Sequence, residues 1–113
     1  MLNNVILVGR LFDNPTTDTD TITLAVSRPY KNMEGVYETD YIDVRLPQNI
    51  QTQTQIYTKK GDMIGIKGRL NTEISNNGIK TTYILAERVT FLSSRTQTQT
   101  QTTEQNIMNK GEI

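Results

Sequence analysis

Residues 21–27, Thr21-Ile22-Thr23-Leu24-Ala25-Val26-Ser27, decide the fold class of this chain. Aliphatic side chains alternate here with small or polar ones, which is the pattern of a β-strand that buries one face. A helix would instead repeat its apolar positions roughly every 3.6 residues. The stretch therefore predicts a strand on which Ile22, Leu24 and Val26 face a core.

Four other stretches have the same strand character. They are the aliphatic run Val5-Ile6-Leu7-Val8, the alternation Ile42-Asp43-Val44-Arg45-Leu46, the alternation from Ile64 to Leu70, and the last run from Thr81 to Leu92. Asn77-Gly78 lies between the last two runs and is a strong hairpin signal, because both residues tolerate a positive φ. Asn32 to Gly35 marks a second chain reversal, between the second and third strands.

One helix is predicted between the third and fourth strands, over about residues 48–58. Its only apolar residues are Ile50, Ile56 and Tyr57, and threonine lowers helix propensity, so we expect a short helix. Lys59-Lys60-Gly61 should close it, with cations in the last turn and glycine as the stop. Five strands with a helix before the fourth predict an all-β fold, a partly open five-stranded Greek-key barrel of the OB type.

Composition excludes several classes of function. The 113 residues suffice for one domain, and they include no histidine and no cysteine. The commonest nucleophiles, acid–base groups and zinc ligands are therefore missing. Asp40 with Asp43, or Asp18 with Asp20, could be forced into a metal site, but acidic residues in loops and at strand edges are mostly solvated. We expect a non-enzymatic protein that needs no cofactor and no metal.

Location and domain boundaries also follow from composition. No stretch approaches the ~20 apolar residues of a membrane span, and the absence of cysteine fits a reducing cytoplasm. From Thr96 onward the chain repeats a Gln-Thr dipeptide that also occurs at residues 51–55. Such a polar segment buries too little apolar surface to offset the entropy lost on ordering. We therefore predict a domain over residues 1–94 and a disordered Gln/Thr-rich tail over residues 95–113.

Several segments resemble, in order and at matching spacings, the bacterial and phage single-stranded-DNA-binding proteins. The matching segments are Asn4-Val5-Ile6-Leu7-Val8-Gly9-Arg10-Leu11 with Asn14-Pro15, Thr23 to Ser27, Thr39 to Ile42, Tyr57 to Asp62, Gly68-Arg69-Leu70 and Val89 to Leu92. The resemblance covers about residues 1–93. It implies an OB-fold protein that binds and protects single-stranded DNA without sequence specificity during replication, recombination or repair. It also implies a cytoplasmic, nucleoid-associated homotetramer.

The residues can be compared with what such binding requires, namely exposed aromatic rings with nearby cations. Tyr41 and Arg45 take the parity opposite Ile42 and Val44, so they should leave the core. Tyr30, between Arg28 and Lys31, matches a stacking position of the family. The predicted DNA-binding residues are Tyr30, Tyr37, Tyr41, Tyr83, Arg10, Arg28, Lys31, Arg45, Lys67, Arg69 and Lys80.

Each of these residues has a structural alternative. Tyrosine is common in strands, where one edge of the ring packs and the hydroxyl stays wet. Tyr57 and Phe91 are better explained as core or helix-packing residues, and Phe12 fits either role. Lys59 and Lys60 are first of all helix-end cations.

The chain departs from the family at several positions. Pro47 stands where relatives often carry an aromatic. The hairpin between the fourth and fifth strands, which often bears another, offers Ile74 to Asn77, and the chain contains no tryptophan. We therefore expect weaker stacking than in a typical relative. Asn109 to Ile113 does not match the acidic, aromatic tip by which bacterial relatives recruit replication proteins. An alternative function is an OB-fold accessory or assembly module that acts through protein contacts with weak or no DNA binding.

The run Val5 to Val8 predicts self-association. It is apolar on both faces, whereas a strand in a small barrel buries only one face in its own core. A second subunit would cover the other face, since exposed apolar strips are rare in monomers. The alternative is that the helix or the N-terminal residues cover it. We expect a homo-oligomer; the resemblance favours a tetramer, and a dimer is possible.

Overall fold

The computed structural model describes residues 1–93 of this chain as five strands and one helix. In chain order these are β1 (Val5–Leu11), β2 (Thr21–Lys31), β3 (Tyr37–Arg45), α1 (Gln48–Tyr57), β4 (Met63–Ile74) and β5 (Lys80–Ser93). The predicted all-β class and the position of the helix are confirmed. The predicted disordered tail, residues 95–113, lies outside the described residues.

The five strands form a closed barrel in the order β1-β2-β3-β5-β4. All neighbouring pairs are antiparallel except β3 and β5, which run parallel and pair only at Val44 with Ile84 and Arg45 with Leu85. The barrel was expected to be partly open, and this short junction is what closes it. Because β5 separates β3 from β4, side chains that leave these two strands do not lie on adjacent strands.

The core contains the side chains whose alternation predicted the strands. The buried apolar residues are Leu11, Ile22, Leu24, Val44, Leu46, Ile64, Ile66 and Ala86. Strand register explains why these residues are buried together, because residues that pair across a sheet point to the same face. Leu11 pairs with Leu24, and Leu24 pairs with Ile42, so one inward row continues across three strands. Leu70 keeps the same parity as Ile64 but is exposed, because β4 continues beyond the barrel.

Two glycines allow strands to approach more closely than any side chain would permit. A Cβ at Gly9 would lie 2.6 Å from the carbonyl oxygen of Ala25, and one at Gly68 would lie 2.4 Å from that of Leu85. Gly68 lies beside a register shift between β4 and β5. These two positions therefore require glycine for packing.

The hairpin connections follow the predicted turn signals. Gly78 has φ 79° and its N–H donates to the carbonyl of Ser75 at 2.9 Å, which closes the β4–β5 turn. Gly35 has φ 80° and donates to the carbonyl of Asn32 at 3.0 Å between β2 and β3. Both reversals are confirmed, and in each the glycine supplies the left-handed backbone that the turn requires.

Helix α1 is short, as expected, but ends differently from the prediction. The amide of Thr58 donates to the carbonyl of Thr54 and closes the helix at Tyr57. Lys59 and Lys60 were expected in the last turn; they lie beyond it, because the extended Thr58 has already ended the helix. Gly61, with φ 92°, then redirects the chain into β4.

The helix is attached to the barrel by few side chains. Thr54 is its one buried residue among those described, and the Gln51 amide donates to the carbonyls of Thr16 and Thr19 at 3.2 and 2.8 Å. Tyr57 and Phe91 form a tilted ring pair with centroids 5.7 Å apart, which confirms helix packing but not burial in the core. Within residues 1–93, no helix is long and apolar enough to cross a membrane.

Candidate nucleic-acid interface

Alternate side chains of β3 point away from the core and form the centre of the candidate interface. Tyr41 is 61% exposed, whereas Val44 on the opposite parity is completely buried. The prediction that Tyr41 leaves the core is therefore confirmed. Tyr37 and Arg45 share its parity at four residues on either side, which corresponds to about 13 Å of strand.

Arg10, Ala25 and Tyr41 form one outward row across β1, β2 and β3. They line a shallow groove of about 380 Å³ together with Ser27 and Thr39. The small Ala25 side chain leaves the groove open between the cation and the ring. Arg10 Nη1 donates to the carbonyl of Gly61 at 3.1 Å, which holds the guanidinium beside the groove. The structure thus brings together a predicted stacking ring and a predicted phosphate ligand.

Phe12 extends this surface, although the sequence left its role open. Its ring is 48% exposed and lies against that of Tyr41, with centroids 5.3 Å apart and ring planes at 69°. Such edge-to-face geometry is a preferred arrangement of aromatic pairs. The sequence alone could not show this contact, because it depends on the register of β1, β2 and β3, which brings Phe12 next to Tyr41.

The end of the β2–β3 hairpin carries two further predicted rings. Tyr30 and Tyr37 are 57% and 56% exposed. Lys31 pairs with Tyr37 in the register, and its Nζ lies 5.7 Å from the centre of that ring. A register shift between Ser27 and Lys31 interrupts the alternation of β2 at this point.

Arg28 lies at the same end of the hairpin, but carboxylates already occupy its guanidinium. Its Nη2 donates to Asp40 Oδ1 at 2.9 Å, and its Nη1 donates to Glu38 Oε1. The hydrogen bond from Arg28 lowers the pKa of Asp40, and the same bond raises the pKa of Arg28. A phosphate would have to compete with two acidic groups for this arginine.

A second surface is formed where β3 meets β5. The guanidinium carbon of Arg45 lies 3.8 Å from the centre of the Tyr83 ring, so it covers one face of that ring. Arg45 also pairs with Glu73 at 3.2 Å and with Asp20 at 4.0 Å, and the hydrogen bond to Glu73 raises its pKa. Arg69 shares this surface, since Arg45 and Arg69 both pair with Leu85.

Lys67, which the sequence also predicted to bind DNA, does not lie beside Tyr41. It pairs with Ile6 of β1 in the register and forms an ion pair with Glu87 at 3.1 Å. Its surroundings are therefore the outward face of β1. Lys80 lies opposite Ile74, next to the turn of the β4–β5 hairpin.

The predicted residues thus fall into three groups and two separate lysines. Arg10 and Tyr41 flank the groove; Arg28, Tyr30, Lys31 and Tyr37 occupy the β2–β3 hairpin; Arg45, Arg69 and Tyr83 form the β3–β5–β4 surface; Lys67 and Lys80 lie apart. Among residues 1–93, no group of three or more acidic side chains could hold a metal ion. Asp40 and Asp43 are three residues apart on β3, so their side chains point to opposite faces of the strand.

Comparison with known proteins identifies the family. The model of the single-strand binding protein family matches residues 2–92. This chain belongs to that family. The matched residues include β1 to β4, the helix and all of β5 except Ser93.

Two bacterial relatives illustrate the similarity. Single-stranded DNA-binding protein B of Bacillus subtilis is 33% identical over an alignment that covers 84% of this chain and 94% of the relative. Single-stranded DNA-binding protein 3 of Listeria innocua is 37% identical, again over 84% of this chain but over 66% of its own length. The chain therefore spans nearly all of one relative and about two thirds of the other.

Solved structures agree on the fold. A Plasmodium falciparum SSB in complex with ssDNA is 23% identical, with a TM-score of 0.62 over 82% of this chain and 96% of that one. The wild-type single-stranded DNA binding protein of Thermus aquaticus is 23% identical, with a TM-score of 0.67 over 84% of this chain and 52% of that one. At this identity the comparison shows the family's OB barrel, which the sequence predicted.

Proposed function

We propose that this protein binds single-stranded DNA without sequence preference and protects it during replication, recombination or repair. Membership of the single-strand binding protein family supports the proposal. The observation that carries it is the outward row of Arg10, Ala25 and Tyr41 on a closed barrel.

The chemistry of that row fits unpaired bases. A ring that is 61% exposed, such as Tyr41, presents a π-face that any base can use. Each stacked base contributes about 1–3 kcal/mol without distinguishing sequence. Arg10 lies at the other side of the groove, where a phosphate of the same strand can approach it.

Electrostatics should make only a modest contribution to affinity. The chain has 12 basic and 12 acidic residues, and Arg28, Arg45 and Lys67 each already pair with a carboxylate. These ion pairs and the zero net charge reduce the number of phosphates that the protein can neutralise. Because each neutralised phosphate contributes about 0.7 to the logarithmic salt slope for single strands, we expect a shallow slope.

Titration with poly(dT) at low and moderate salt tests the proposal. Stacking should quench the intrinsic tyrosine fluorescence, and the quenching should weaken as salt rises. Tyr41→Ala should weaken binding about fivefold or more without unfolding, because this side chain leaves the core. An unchanged signal up to micromolar protein would contradict DNA binding and favour the assembly module.

We further propose that the protein self-associates through β1. Ile6 and Val8 are 73% and 51% exposed, so neither the helix nor the N-terminal residues cover the outward face of this strand. Residues Val5 to Gly9 pair with β4 on one side and have no partner on β2, where the pairing begins at Arg10. A second copy could cover the apolar face and pair with the free edge. The resemblance favours a homotetramer built from such contacts.

Sedimentation of an Ile6→Lys variant tests this contact. A charge at the centre of the interface should shift the wild-type oligomer to a smaller species. Ile56→Lys is the matched control, since Ile56 is 67% exposed on α1, away from β1. Equal sedimentation of both variants and the wild type would contradict self-association through β1.

In the cell we propose that the protein is cytoplasmic and associated with the nucleoid through DNA. The membership of a family with bacterial relatives supports this location. A fluorescent fusion should follow the DNA stain, and Tyr41→Ala should reduce that overlap. A fusion distributed evenly through the cell, whatever the residue at position 41, would contradict the association.

A further inference from the structure

We infer that Phe12 and Tyr41 together form one base-binding subsite, in which a single nucleobase is held by both rings. The inference rests on the proposed binding of single-stranded DNA and assigns a role to Phe12. It starts from a ring pair on the open surface, 48% and 61% exposed, with centroids 5.3 Å apart and planes at 69°.

The backbone fixes Phe12 in place. Its N–H donates to the carbonyl of Thr23 at 2.9 Å, which continues the pairing of β1 with β2 by one residue beyond Leu11. The ring consequently leaves the barrel on the same side as Arg10, two residues earlier. Burial does not explain this ring, because the core is formed by other residues and leaves Phe12 half exposed.

The angle between the rings determines what can bind. Two planes at 69° form a corner, so a flat ligand stacked on one ring presents its edge to the other. Aromatic groups attract each other in both the stacked and the edge-to-face arrangement. A nucleobase offers a face and an edge of this kind, and Arg10 across Ala25 can approach the adjoining phosphate.

A second ring pair in the protein provides a matched control. Tyr57 is 67% exposed and lies 5.7 Å from Phe91, between α1 and β5. Neither ring lines the groove that contains Arg10 and Tyr41. Tyr57→Leu thus removes an exposed paired tyrosine elsewhere on the same barrel.

The test is a double-mutant cycle with a fluorescently labelled dT oligonucleotide, followed by anisotropy. Phe12→Leu and Tyr41→Leu should each weaken binding about five- to tenfold, since each removes one contact with the same base. The double variant should be no more than about twofold weaker than the weaker single variant, because the subsite is already lost. Tyr57→Leu should change binding less than about twofold.

Two results would overturn the inference. Losses that multiply in the double variant would show two independent stacking positions, and wild-type affinity of Phe12→Leu would show that the ring does not contact the base. Phe12→Tyr retains the ring and should restore binding, which separates loss of the ring from loss of structure if Phe12→Leu melts at a lower temperature. Failure of the wild type to bind any dT oligonucleotide would instead contradict the proposed function itself.

Discussion

Thr54 belongs to α1, and its side chain is completely buried. Its hydroxyl oxygen has no hydrogen-bond partner among the described residues. An unsatisfied buried hydroxyl costs about 1–3 kcal/mol. Thr54→Val keeps the shape of the side chain and removes the polar atom, so it should raise the free energy of unfolding by about 1 kcal/mol. Urea denaturation measures the change. Thr52→Val, at an exposed position of the same helix, is the control, and equal effects at both positions would contradict the explanation.

Asp40 should titrate at an unusually low pH. The hydrogen bond from Arg28 lowers its pKa in the folded protein, so the ionised carboxylate stabilises the fold above the pKa of the unfolded chain. That contribution is lost as the pH falls through the lowered folded value. An NMR titration of the Asp40 carboxyl carbon should show the low pKa, and Arg28→Gln should return it towards the ordinary value of about 3.9. An identical titration in the variant would show that Arg28 is not the cause.

For individual residues, the sequence predicted which face of a strand a side chain occupies, but not which other side chains it contacts. Tyr41 faces solvent because it alternates with Ile42 and Val44, a fact contained in the local sequence. The ion pair of Arg28 with Asp40 depends on the register between β2 and β3 and on the irregularity after Ser27. Short-range alternation carries no information about either, so the competing carboxylates were missed.

Strand packing around Gly68 can be tested against a neighbouring glycine. In Gly68→Ala the new Cβ would lie 2.4 Å from the carbonyl oxygen of Leu85, so the backbone must move. The free energy of unfolding should fall by about 3 kcal/mol or more. Gly65→Ala, on the same strand, meets its nearest atom at 3.8 Å and should change stability by less than about 1 kcal/mol. Thermal unfolding of both variants gives the comparison. Similar melting temperatures would show that β4 and β5 can separate locally at little cost.

Near the junction of β3 with β5, we expect Glu73 to weaken the binding of single-stranded DNA. Its carboxylate pairs with Arg45, which covers one face of Tyr83. Glu73→Gln removes one of the two carboxylates that pair with Arg45, so affinity for poly(dT) should rise about two- to threefold at low salt, with a steeper salt slope. Asp18→Asn, in the β1–β2 loop, is the control for the change in net charge. An equal rise in affinity for poly(dT) in both variants would show that only the net charge matters, and not the pairing of Glu73 with Arg45.

Elements with strong local signals were predictable. Asn77-Gly78 and Asn32 to Gly35 formed the expected turns because their backbone demands are met within a few residues. The end of α1 was less predictable. Lys59 and Lys60 have the composition of a last turn, but the extended backbone of Thr58 comes first. Composition shows which residues suit a helix end. The position of that end depends on where the chain must leave the helix to enter β4.

For the whole molecule, the number of strands could be counted from the sequence, but their order could not. Placing β5 between β3 and β4 separates Lys67 from Tyr41 and puts Arg69 in a row with Arg45 instead. The predicted rings and cations are therefore divided among three groups, and Lys67 and Lys80 lie apart from them. Pairing between distant strands is a long-range property, and short sequence patterns do not report it.

The parallel junction of β3 with β5 also bears on how the chain reaches and leaves its native state. It joins residues about 40 positions apart through only two residue pairs, Val44 with Ile84 and Arg45 with Leu85. Contacts so distant in sequence are costly in loop entropy, so we expect this seam to form late, after the β4–β5 hairpin. It should likewise open first, and amide hydrogens at the seam should exchange faster than those of the long hairpin. The weakest seam of the barrel would then lie directly beneath Arg45 and Tyr83.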